Sequence, residues 1–294
     1  MQPIGDEALW DTPPLEATER DGRLYGRGAA DDKGQLMTFV EACRAWKAVT
    51  GKLPIPITIL LEGEEESGGA NLPGFLEAAK SELGADVAMI CDTNMWDRET
   101  PAITTSLRGL CAEEIFIHAS DRDLHSGFYG SAAANPNHVL ARIIADLRDA
   151  DGRITLPGFY DGVPDLPQSL RDSWDKLDFS EAAFLGEVGL SVPAGEKGRS
   201  VLEQTWSRPT CEVNGMVGGY TGDGFKTVIP AVASAKISFR LVFDQDPHKI
   251  RAAFRDFVKA RLPADCRAEF SEFGAGRAVA FEVSAPVFQK TQQA

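Results

Sequence analysis

Apolar positions along the first hundred residues change their spacing several times. Leu36, Val40, Cys43 and Lys47 recur at intervals of four, three and four, with Phe39 and Trp46 alongside. That rhythm predicts a helix over Lys33–Val49. The stretch LPIPITILLE, 53–62, is apolar, β-branched and bounded by prolines, which predicts a buried strand. A helix is predicted over Pro73–Leu83, where Pro73 suits the first turn. ADVAMICD, 85–92, reads as a second apolar strand. The order strand, helix, strand predicts a parallel sheet with crossover connections.

The pattern changes after about Ser106. GLCAEEIFIHAS, 109–120, mixes apolar and polar positions as a half-exposed strand does. A helix is predicted over Asn137–Leu147, followed by a loop-rich stretch to about Pro209 that is dense in Pro, Gly and Asp. AVASAKISFRLVF, 231–243, alternates as an antiparallel strand should. A helix over Pro247–Arg261 and a strand over Arg267–Phe273 close the region. Strand–helix–strand–strand–helix–strand is a two-layer α+β unit. The fold class expected is therefore α/β, a mostly parallel mixed sheet with flanking helices, carrying an inserted α+β domain. The boundaries expected are 1–106 for the first part of the α/β domain, 107–281 for the insertion, and 282–294 for the start of the returning segment.

Composition narrows the chemistry. The 294 residues carry a net charge of −14, which argues against a nucleic-acid groove. The same surplus allows carboxylates to collect around cations. The five cysteines are scattered, with no Cys-x-x-Cys pair, and are read as reduced thiols of an intracellular, cytoplasmic protein. The apolar runs are too short to span a bilayer, and the first residues show neither the basic nor the apolar region of a signal peptide.

Three acidic groups fall in glycine turns or at the ends of predicted strands: Asp31-Asp32, then EGEEESGG at Glu62–Gly69, then Asp92. Ligands of parallel α/β sheets gather just beyond the carboxyl ends of strands. Carboxylates converging there repel one another unless a cation lies between them. Each group also has a plainer explanation. An Asp pair before a helix can serve as a cap, and a run of three glutamates can be a solvated face.

The ordered motifs YGRGAADDKG, EGEEESGG, CDTN and LHSGFYG resemble those of the co-catalytic di-zinc metallopeptidases. That family includes carnosinases, aminoacylases, acetylornithine deacetylase and succinyl-diaminopimelate desuccinylase, and the motifs lie nearest its dipeptidase or carnosinase-like branch. The resemblance implies a di-zinc catalytic domain with an inserted lid and dimerisation domain. It implies that Asp31 bridges two metal ions and is followed by a cis peptide bond. It further implies that Glu65 is the general base, Glu66 a ligand of one metal and Asp92 a ligand of the other. The ions implied are zinc, with manganese or cobalt as substitutes.

His125 matches a lid histidine that reaches a neighbouring subunit's site and stabilises an oxyanion. Read without the family, it is a polar loop residue with a local hydrogen bond. Arg240 matches a residue that binds the substrate carboxylate, a task its planar fork suits. A surface ion pair is the alternative for Arg240. Thr227, in GFKTVIP, matches a substrate-side segment. His118, His138 and His248 match no motif and are read as structural.

The chain departs from the family at both ends. The family opens its site with His-x-Asp-x-x-Pro, whereas this chain begins MQPIGDEALW, and the family continues beyond the equivalent of FEVSAPVFQKTQQA to a last metal histidine. The expectation is a chain truncated at both ends, with three of five metal residues, impaired in metal binding and activity. Its function is expected to be hydrolysis of an amide bond in a small carboxylate-bearing substrate, a dipeptide, by a homodimer. An N-acyl amino acid substrate is one alternative. A catalytically dead dimerisation or binding module is another.

Overall fold

The structure, a computed structural model, describes residues 1–293. It divides into two compact units, Met1–Thr104 and Thr105–Ala294.

The first unit opens with a hairpin of β1 (Thr18–Arg20) and β2 (Arg23–Tyr25), Thr18 facing Tyr25. Asp21 and Gly22 between them both have positive φ, 54° and 71°. An Asp-Gly pair supplies that conformation, which matches the twist of the flanking strands. Helix α1 spans Gly34–Thr50 and stops at Gly51, whose φ of 75° is left-handed and whose N–H donates to Lys47 O at 2.9 Å. Helix α2 spans Leu72–Ala78, with proline in its first turn. Neither helix has a buried residue.

The two strands expected here do not form. Residues 53–62 and 85–92 have no ladder partner among the described residues, and no parallel pairing occurs in this unit. Parallel strands persist where both faces are covered. Here Ile55 is 64% exposed and Ile90 82%. Uncovered apolar backbone of this kind gains too little from burial to order a sheet.

The second unit begins with β3 (Ser106–Leu107) and β4 (Gly109–His118). Then come β5 (Leu124–His125), the single-turn α3 (Ser126–Tyr129) and α4 (Pro136–Ala145). Helices α5 (Gln168–Trp174) and α6 (Glu181–Gly186) lie in the loop-rich stretch. Strands β6 (Thr210–Gly218), β7 (Val228–Ile229) and β8 (Val232–Leu241) follow, then α7 (Pro247–Lys259), β9 (Arg267–Gly276), β10 (Val279–Ala280) and α8 (Pro286–Gln293). The main sheet has the order β6-β8-β4-β9 and is wholly antiparallel. With α4 and α7 interposed in sequence, this is the strand–helix–strand–strand–helix–strand unit expected. Strand β10 pairs antiparallel with β3, Val279 opposite Leu107, so chain entry and exit are tied together.

Alternation explains the layering. Along β4 the odd-numbered positions from Gly109 to Ile117 are buried and the even ones half-buried. Ile115, Ile117, Phe239 and Leu241 pack with Leu140 and Ile143 of α4 and with Phe254 and Val258 of α7. Phe239 and Phe254 meet edge to face, 5.4 Å between ring centres. Helix α7 starts at Asp246, whose carboxylate accepts from His248 N at 2.9 Å, with Pro247 next. Beneath this helix lies a buried acid, Glu113, bonded to Arg255 and 3.8 Å from Arg251. Burial pushes the Glu113 carboxyl up, and the two guanidinium groups pull it back down. The loop-rich stretch is held by a second buried pair, Arg208 Nη2 to Glu196 Oε2 at 2.9 Å.

Candidate active site

In the first unit the chain reaches Asp31 through Gly28, which has a φ of 79°. A side chain at position 28 would be strained by that φ, and its Cβ would collide with the Met1 thioether. The turn delivers Asp31 and Asp32 in non-helical conformations just before α1. The peptide bond between them is cis, as the resemblance implies.

Two carboxyl groups report how close the acidic loops come. The Glu65 carboxyl is raised, by burial first, then by the charges of Glu66, Asp92, Glu62 and Asp31. The Asp32 carboxyl is raised too, by burial first, then by Asp92 and Asp31. Residues from three separate loops thus share one field of negative charge. Asp32 Oδ1 is buried and has no hydrogen-bond partner. Glu66 Oε2 accepts from Gln2 Nε2 at 2.7 Å. Glu64, by contrast, is used structurally: its carboxylate accepts from Asn71 N at 3.2 Å and from Asn71 Nδ2 at 2.8 Å.

These donors suit a divalent cation in type and charge, being hard, ionisable oxygens with one unpartnered atom among them. Among the described residues no three His, Cys, Asp or Glu side chains close around one point. The residues therefore fit such an ion as neighbouring carboxylates, within electrostatic reach, and not as a closed ligand cage. All four histidines lie in the second unit, so the first unit offers no imidazole.

In the second unit β5 and β7 pair so that Leu124 faces Ile229 and His125 faces Val228. Ser126 N donates to Thr227 O at 2.9 Å, and Ala231 N to Asp123 Oδ1 at 2.8 Å. This lattice brings His125 Nε2 within 3.3 Å of Thr227 Oγ1, although 102 residues separate them in sequence. Both line an open cavity of about 480 Å³ with Asp123, Leu124, Phe225, Lys226 and Val228. Phe225 is 88% exposed at its edge.

Arg240 lies elsewhere. It sits opposite Leu110 near the end of β8, while Val232, at the start of β8, faces His118. Eight residues of strand place Arg240 roughly 26 Å along β8 from the end nearest Thr227, at about 3.3 Å per residue. The ion pair that was the alternative for Arg240 is absent among the described residues. Arg108 is held below the usual guanidinium range, by burial first and then by the charge of Arg240. The two cations share a neighbourhood that favours an anion. Sequence reasoning named Asp32 beside Asp31 but gave it no role of its own, and it passed over Gln2 and Arg108. Adjacency to Asp31 was the only signal for Asp32.

The whole chain, residues 1–294, matches the model for peptidase family M20/M25/M40. It is 32% identical over 261 residues to the Cys-Gly metallodipeptidase dug1 of Schizosaccharomyces pombe, covering 88% of this chain and 55% of that protein. An M20 family metallo-carboxypeptidase, Sso-CP2 of Sulfolobus solfataricus, superposes with a TM-score of 0.84 at 32% identity, over 98% of this chain and 65% of that one. Human carnosine dipeptidase 1 superposes at 0.81 with 27% identity, over 99% of this chain and 63% of that one. The chain thus spans between about half and two thirds of the length of these relatives. The chain belongs to peptidase family M20/M25/M40.

Proposed function

We propose that this chain works in a divalent-metal-dependent hydrolase that cleaves the amide bond of a dipeptide. One observation carries the reading: the whole chain matches peptidase family M20/M25/M40, and its relative in Schizosaccharomyces pombe is a Cys-Gly metallodipeptidase. Glu65, set among these acidic loops, is the carboxyl group suited by chemistry to accept a proton and give it up again.

Asp31, Glu66 and Asp92 would hold the metal ions, zinc in the first instance, with manganese or cobalt as substitutes. Bound there, such ions supply Lewis-acid polarisation and a water that ionises near neutral pH. Glu65 takes a proton from the attacking water on its carboxylate and returns it to the leaving nitrogen. His125 donates from Nε2 to the carbonyl oxygen as negative charge develops there. Thr227 orients the same end of the substrate, and Arg240 pairs the free carboxylate through its two-pronged guanidinium.

The placement of Arg240 supports a homodimer built through the inserted unit, residues 107–281, acting as lid and dimerisation domain. A dipeptide extends about 7 Å, which cannot bridge roughly 26 Å of β8. One substrate touched by both Arg240 and the His125–Thr227 pair therefore needs two copies of the chain.

The test is a substrate panel on purified protein with zinc or manganese, comparing dipeptides with N-acetyl amino acids. Faster dipeptide turnover, lost by roughly 10²–10⁴-fold in Glu65→Gln, is expected. Preference for N-acetyl amino acids would replace the substrate class. An inert protein with every metal and substrate would leave a dimerisation module as the function.

A further inference from the structure

His125 does two things at once in this fold. It precedes the single helical turn α3, and its Nδ1 accepts a hydrogen bond from Gly127 N at 3.0 Å. A neutral imidazole carries one proton, and a nitrogen that accepts from an N–H is the one without it. The ring proton is therefore on Nε2, the nitrogen 3.3 Å from Thr227 Oγ1. Thr227 receives that proton with an oxygen lone pair and keeps its own O–H free to turn into the cavity.

Space makes the residue at 127 equally specific. A Cβ built on Gly127 would lie 2.8 Å from His125 Cε1 and 3.0 Å from Nδ1. The ring lies against this glycine, and any side chain there pushes the ring away from the N–H that orients it. We infer that Gly127 is a positioning residue. Its N–H and its missing side chain lock His125 as the Nε2–H tautomer, so that a chain of donors runs from Gly127 through His125 and Thr227 into the cavity. The inference deepens the hydrolase reading and rests on it for its catalytic meaning. An acceptor at Nε2 would repel a developing oxyanion, whereas the locked ring meets it with an N–H that turns from Thr227 Oγ1 to the new charge.

The tautomer is readable without turnover, so its failure is distinct from a failure of the hydrolase reading. The protein is labelled with ¹⁵N-histidine and examined by long-range ¹H–¹⁵N correlation near pH 8. Among the four rings, that of His125 is assigned by its loss in the variant His125→Gln. The expected spectrum shows His125 protonated at Nε2 alone. Gly127→Ala should shift the tautomer ratio towards the Nδ1–H form by roughly fivefold, the worth of one neutral hydrogen bond. Thr227→Val, which removes the acceptor but spares the Gly127 contact, should keep the Nε2–H form and guards against a misfolded alanine variant. A wild-type ring protonated at Nδ1, or a tautomer that changes in Thr227→Val and not in Gly127→Ala, overturns the inference.

Discussion

The two units use similar sequence materials to opposite effect. Helix α1 has 17 residues and buries none of them, whereas α7 has 13 and buries six. The buried hydrophobic residues all fall between Cys111 and Val258, within the second unit. The first unit keeps Ile55, Leu61, Val87 and Ile90 exposed and spends its turns on presenting carboxylates. The comparison teaches that an amphipathic pattern becomes a core only where a second layer meets it. In the second unit the sheet and α4 and α7 meet as complete faces. In the first unit what the chain builds well is local: a hairpin, a glycine turn and a cis Asp-Asp step.

The contrast is broken most severely at the aromatic centre of the sheet. Phe254→Ala should destabilise the second unit by about 3–5 kcal/mol in denaturant unfolding. Trp46→Ala on α1, at a half-exposed position, should stay within about 0.5 kcal/mol. Glu113→Ala comes next. It leaves the buried Arg251 guanidinium with only the exposed Glu272 carboxylate, 3.4 Å away, at a cost of about 3 kcal/mol in the same assay. Replacing Glu113 and Arg251 together by leucine and methionine should recover most of that loss, because a buried pair adds little beyond a packed apolar one.

A smaller effect is pH-dependent. The Asp246 carboxyl is held below the usual range, chiefly by the His248 N–H, and Glu272 is held low chiefly by its hydrogen bond from Arg255. Their folded values lie below their unfolded ones. Their contribution is therefore complete above about pH 4, the ordinary carboxyl value, and is lost as pH falls through the folded values. Thermal melts between pH 6 and pH 2.5 should show the second unit weakening in that window, and Asp246→Ala should flatten part of the slope. An unchanged slope in that variant would assign the acid sensitivity to other groups.

Much of the second unit could be read from the sequence because periodicity and burial coincide there. The alternation of β4 and β8 and the helical spacing from Pro247 are visible in one-dimensional form, and their observed ends fall within two residues of those expected. The strands expected at 53–62 and 85–92 failed because composition tells a chain's tendency, while a ladder needs a neighbour and a cover. At the site, Asp31, Glu65, Glu66 and Asp92 were found as members of ordered motifs, and among the described residues no three such side chains close around one point. The meeting of His125 and Thr227 depends on β5 pairing with β7, which no local pattern announces. Gly127 and Asp32 lay inside quoted motifs but were given no role, for a related reason. One matters by what it lacks beside a ring, the other by an oxygen left without a partner.

The central claim is that acidic side chains from three distant loops act together to hold divalent cations. Calorimetric titration of zinc or manganese into the protein, beside Glu66→Gln and Asp92→Asn, tests it most directly. The account predicts saturable binding in the wild type, weakened at least roughly tenfold by either substitution. Binding that is equally strong in both variants, or no binding in the wild type, would contradict it.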